Sequence, residues 1–109
     1  MSVLDIDPYS LGDPAGMRAL ATTLAREASE VAARGDALLK TLDDTTFEGP
    51  AATRFRSSVR NEIAEARRVA ADLQDLANYI TRAAARVESD IAELLRAQEE
   101  VRRQQLEAG

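Results

Sequence analysis

The 109 residues carry 14 basic and 19 acidic side chains and neither cysteine nor histidine, which excludes a disulfide framework, thiolate or imidazole metal sites and histidine-based proton transfer. The net charge of -5 opposes phosphate binding, and no run approaches the roughly 20 apolar residues that cross a bilayer, so neither a nucleic-acid partner nor membrane insertion is expected. Carboxylates alone remain for catalysis, and no constellation of them stands out: Asp43 and Asp44 are read as turn residues, and the chain is expected to be no enzyme and to need no cofactor.

Residues 1–13 hold Val3, Leu4, Ile6, Tyr9 and Leu11 among Asp5, Asp7, Pro8 and Gly12, and read as an irregular arm lying on a helical body. They contain neither a basic start nor an apolar core of the kind a cleavable secretory signal requires, so synthesis in the cytoplasm without such a signal is expected.

Asp13-Pro14 opens the first helix, an aspartate able to cap free N–H groups followed by proline at the first helical position. The helix is expected over about 14–43. Met17, Leu24, Val31 and Leu38 recur every seven residues, with Ala21, Ala28, Gly35 and Leu42 four positions after each, which is the spacing of a coiled-coil seam. Glycine inside a helix costs about 1 kcal/mol against alanine, so Gly35 is expected either to admit a closely approaching backbone, the reading preferred, or to mark a local bend. Asp43 to Thr46 then end the helix through short side chains that compete for backbone hydrogen bonds.

The stretch Phe47-Glu48-Gly49-Pro50-Ala51-Ala52-Thr53-Arg54-Phe55 breaks the helical composition and reverses the chain in a turn over about 44–50. Phe47 and Phe55, the only phenylalanines, are expected to pack at its tip. A second helix follows over about 51–106. Val59, Ala66, Leu73, Ile80, Val87, Leu94 and Val101 mark one seven-residue line, and Ile63, Ala70, Ala77, Ala84, Ile91, Gln98 and Gln105 the other, with the two glutamines read as a seam fading out.

Arg54, Arg56, Arg60, Arg67 and Arg68, interrupted by Glu62 and Glu65, read as a solvated, salt-bridged face. Glu30 with Arg34 and Glu99 with Arg103 have the spacing of supporting helix-surface pairs. Thirteen of the fourteen basic residues are arginine, a usage associated with a high-GC genome such as an actinobacterial one.

At about 1.5 Å per residue the second helix is nearly twice as long as the first. Counting back from the turn places Pro14 opposite about Ala84, leaving Val87, Ile91, Leu94 and Val101 to the arm or to another chain. Two helices alone cannot cover both apolar faces, so the expected fold is all-α: an antiparallel helix-turn-helix hairpin with a long second helix, pairing as a dimer into a four-helix bundle. The expected bundle seam comprises Met17, Leu24, Val31, Leu38, Val59, Ile63, Leu73, Ile80, Val87 and Ile91.

Phe47-x-Gly49-x-Ala51-Ala52-x-x-Phe55 between two amphipathic helices resembles the WXG-type family of small helical hairpins exported by bacterial type VII secretion systems. Phe47 stands where that family usually has tryptophan, and the tyrosine, three residues, acid element of its export signal has no counterpart after the second helix. The resemblance implies a secreted, non-enzymatic protein that forms a homodimer, or a heterodimer with a related hairpin. An alternative partner is the helical leader of a larger effector, with the chain as its adaptor. A structural coiled-coil module is the third reading. Val101 and Leu106 resemble part of a tail pattern that docks on the secretion ATPase.

Overall fold

The structure, a computed structural model, describes residues 2–108; Met1 and Gly109, the outer ends of the expected arm and tail, lie outside them. It is an all-α helix-turn-helix hairpin. Two short 3-10 turns, Val3–Asp5 and Pro8–Leu11, precede helix α1 (Pro14–Asp44) and the much longer helix α2 (Pro50–Ala108). No helix among the described residues is long and apolar enough to cross a membrane.

Local chemistry sets the helix ends. Asp13 caps α1, its carboxylate accepting from Gly16 N at 3.1 Å while its carbonyl accepts from Met17 N at 3.0 Å. Pro14 and Pro50 each occupy the first position of their helix, where the N–H they lack has no intrahelical acceptor. At the far end of α1 the Thr41 and Thr45 hydroxyls bond back to the carbonyls of Ala37 and Thr41, at 3.1 and 2.7 Å.

The chain divides into two compact units: a central one, Ala21–Asn78, and a terminal one formed by the residues up to Leu20 together with those from Tyr79 onward. In the central unit the register is antiparallel and stepped by sevens. Asp36 meets Arg67 at 2.6 Å, and Asp43, seven residues later, meets Arg60, seven residues earlier, at 3.0 Å. The buried residues here are Ala21, Ala28, Gly35 and Leu42 from α1 and Ala52, Ile63, Ala70 and Ala77 from α2. One seven-residue line per helix is therefore spent inside the hairpin, and it is mostly alanine.

In the terminal unit Arg18 and Glu88 join the two helices by an ion pair. Pro14 lines a surface pocket together with Glu88 and Ile91. Beyond Pro14 the arm takes over the role of α1. Gly12 packs against Val87, and Gln98 is 3% exposed beneath the arm, hydrogen-bonded to it. The expectation that Gln98 marks a fading seam is thus corrected: it lies on the same buried line as Ala84 and Ile91, and its polarity serves the arm.

Two smaller expectations also change. An added Cβ on Gly35 would meet only Ile63 Cγ2, at 3.6 Å, an ordinary contact, so within the chain no backbone approaches closely enough to require glycine. Arg103 pairs with Glu100 at 3.6 Å, and Glu99 with Arg102, because the shorter three-residue reach is the one these side chains take.

Candidate functional site

The expected seam residues separate into two groups. Ile63 and Ile91 are buried in the hairpin, at 3 and 8% exposure. Met17, Leu24, Val31, Val59, Leu73, Ile80 and Val87 are half-buried, as are Leu94 and Val101, and Leu38 is 49% exposed. Apart from Leu42, Ile63 and Ile91, the large apolar side chains of the seven-residue pattern are therefore ones the single hairpin covers only in part. Alanine, burying little area per residue, fills most of the inside.

The two flanks of the central unit differ in kind. A helix turns about 100° per residue, so Val31 and Leu38 fall on one side of the buried Ala28, Gly35 and Leu42, while Ala32 and Asp36 fall on the other. The first flank forms a groove of about 270 Å³ lined by Val31, Gly35, Leu38, Ile63 and Ala66, with Arg34 on the α1 rim and Glu62 on the α2 rim. The second, a shallow groove of about 380 Å³, carries Ser29, Asp36, Arg67 and Gln74 around Ala28 and Ala70. The Asp36–Arg67 and Asp43–Arg60 pairs cross between the helices on this second flank. Val69 and Leu76, at 45 and 46% exposure, extend the apolar flank on α2.

At the turn the two phenylalanine rings stand 5.8 Å apart, inclined by 59°. The Arg56 guanidinium lies 4.5 Å above the Phe47 ring and donates to Thr45 O at 2.8 Å, so one side chain pins both the ring and the end of α1. Gly49 has φ of +112° with nothing within 4 Å of an added Cβ, so glycine is required by backbone conformation alone. Its carbonyl accepts both N–H and O–H of Thr53, at 3.0 and 3.2 Å. Ala52 is buried; Pro50 and Ala51 are exposed, and Phe55 is 54% exposed at the mouth of an apolar notch formed with Leu38, Leu42, Phe47 and Val59.

The arginines read as a solvated, salt-bridged face do include exposed ion pairs, Arg60 with Asp43, Arg67 with Asp36 and Arg68 with Glu65. Sequence reasoning did not give the partners across the helices or the seat of Arg56 on Phe47. Of the tail pair, Val101 is half-buried and Leu106 is 81% exposed. Among the described residues no group of three or more acidic side chains is arranged to hold a metal. The chain matches no protein-family model, no curated protein and no solved structure. What fold and site define is a class: an all-α helical hairpin with an alanine-lined interior, one ion-paired flank and one apolar flank.

Proposed function

We propose that the chain is a non-enzymatic interaction protein whose hairpin pairs with a second hairpin across the apolar flank, completing a four-helix bundle. The observation that carries this reading is incomplete cover: the interior is mostly alanine with Leu42, Ile63 and Ile91, whereas Leu24, Val31, Leu38 and Leu73 stay half-buried or exposed. Full burial of an exposed leucine or valine is worth about 1.5–3 kcal/mol, so covering the part of each still open yields a fraction of that per residue, summed over the flank.

A second copy of the chain is the partner we favour over a related hairpin or an effector leader. Arg34 and Glu62 stand on opposite rims of one groove, and a two-fold axis through it sets Arg34 of each copy against Glu62 of the other. The resemblance of the Phe47 to Phe55 turn to the WXG-type family supports a place in type VII secretion, as substrate or folded partner. The exposure of Leu106 suits a tail contact with the secretion ATPase.

Light scattering after size exclusion tests the pairing. The wild-type chain is expected to elute with the mass of two chains. Leu73→Asp, which puts a carboxylate where a single hairpin still leaves access to water but a bundle would not, is expected to elute as one helical chain. A wild-type chain that is monomeric at all concentrations, or a Leu73→Asp chain that stays paired, would refute the reading. The tail contact is checked separately, by loss of export on Leu106→Asp with pairing retained.

A further inference from the structure

Gln98 is the one polar side chain buried among the described residues, and it occupies a position that the seven-residue line from Ile63 to Ile91 gives to alanine or isoleucine. Its Nε2 uses both hydrogens on the arm, donating to Val3 O at 2.9 Å and to Ile6 O at 2.6 Å. A helix laid along this part of α2 would receive them poorly, because its main-chain carbonyls run along its own axis to the N–H four residues on and its flank presents side chains. The arm receives both. Ile6 and Asp7 are extended between two single 3-10 turns, and the Ile6 carbonyl takes one hydrogen while Val3 O takes the other beside its turn bond from Ile6 N at 3.4 Å.

The arm is also built to hold that form on its own. The Ser2 hydroxyl accepts from Leu4 N while the Asp5 carboxylate accepts from Ser2 N, and Asp7 Oδ1 accepts from Tyr9 N. Gly12, at φ +151°, lets the chain pass from the arm into α1 against Val87, where an added Cβ would stand 2.9 Å from Val87 Cγ1.

We propose that Gln98 makes the last stretch of α2 a binding site selective for a non-helical segment, occupied by this chain's own N-terminal arm and closed to helices. The polar amide selects by its need for carbonyls presented sideways to α2: the arm supplies two, whereas the flank of a helix would leave it poorly paired. Pairing between hairpins is thereby kept away from this stretch, although the neighbouring Ile91 and Leu94 would otherwise extend an apolar seam.

Hydrogen exchange by mass spectrometry, with sedimentation velocity over a concentration series, tests this on the full chain, on Gln98→Leu and on Gly12→Ala. In both variants the amides of Leu4, Ile6 and Tyr9 are expected to exchange on the order of tenfold faster, from the loss of about two hydrogen bonds, with residues 21–78 unchanged. In Gln98→Leu the average mass should rise above wild type with concentration, since the stretch now accepts helices. In Gly12→Ala it should stay at the wild-type value, because Gln98 still excludes them. Unchanged arm exchange in Gln98→Leu, no gain of mass there, or an equal gain in Gly12→Ala would each overturn the proposal. If Gln98→Leu does not fold, Gln98→Ala replaces it. All comparisons are with the wild-type mass, whether of one chain or two, so the outcome is separate from that of the pairing reading.

Discussion

Gly35 lies over Ile63 with room for a methyl group, which would stand 3.6 Å from Ile63 Cγ2. Helix interiors favour alanine over glycine by about 1 kcal/mol, largely through the unfolded chain. Gly35→Ala is therefore expected to stabilise the protein by roughly that amount and to raise the midpoint of a circular-dichroism melt. A lowered midpoint would mean that the space beside Gly35 is filled in solution by something other than Ile63.

The interior of the central unit is expected to resist enlargement. Ala70 is 7% exposed and sits in the tightly paired stretch of the two helices. Ala70→Leu should cost about 1–3 kcal/mol through overpacking, seen as a lower urea midpoint. Leu76→Ala, at a residue 46% exposed, should change the stability of the hairpin itself much less. Equal effects at the two positions would contradict the assignment of inside and outside.

Ion pairs on the polar flank are predicted to set register more than stability. Arg67 and Asp36 are 49 and 67% exposed, so their coupling in a double-mutant cycle should fall within about 0.2–1 kcal/mol and shrink at high salt. Reversing both charges, Arg67→Asp with Asp36→Arg, should restore most of what either single reversal loses. A double reversal as unstable as the sum of the two single ones would show that the pair does not form in solution.

The turn should be sensitive to backbone more than to contact. Gly49→Ala introduces a Cβ that touches nothing but must adopt φ near +112°, and a cost of about 1–3 kcal/mol is expected from conformation alone. Arg56→Lys keeps the charge but loses the planar group that lies over Phe47 while reaching Thr45 O, and should cost about 1 kcal/mol. Thermal melts of the two variants, with helicity checked at low temperature, decide both.

Much of the architecture was legible from the sequence because its determinants are local. Asp13-Pro14 and Gly49-Pro50 punctuate the chain through properties of single residues, and seven-residue spacing states which positions share a face. These are independent of what the face meets.

Periodicity could not say which of two equivalent lines turns inward. Both have the same spacing, and size alone would have sent the larger side chains inside; the hairpin instead buries mostly alanine, with Leu42, Ile63 and Ile91, since alanine lets the two helices lie close. Nor could it give meaning to Gln98. By itself a glutamine at the end of an apolar line looks like the line giving out, whereas its role depends on the carbonyls of Val3 and Ile6, more than ninety residues away in the chain. Residue identities and local propensities therefore settled the helices, their caps and the turn. The choice of buried line, the cross-helix ion pairs and the seat of the arm were decided only by tertiary structure, because each rests on contacts between groups distant in sequence.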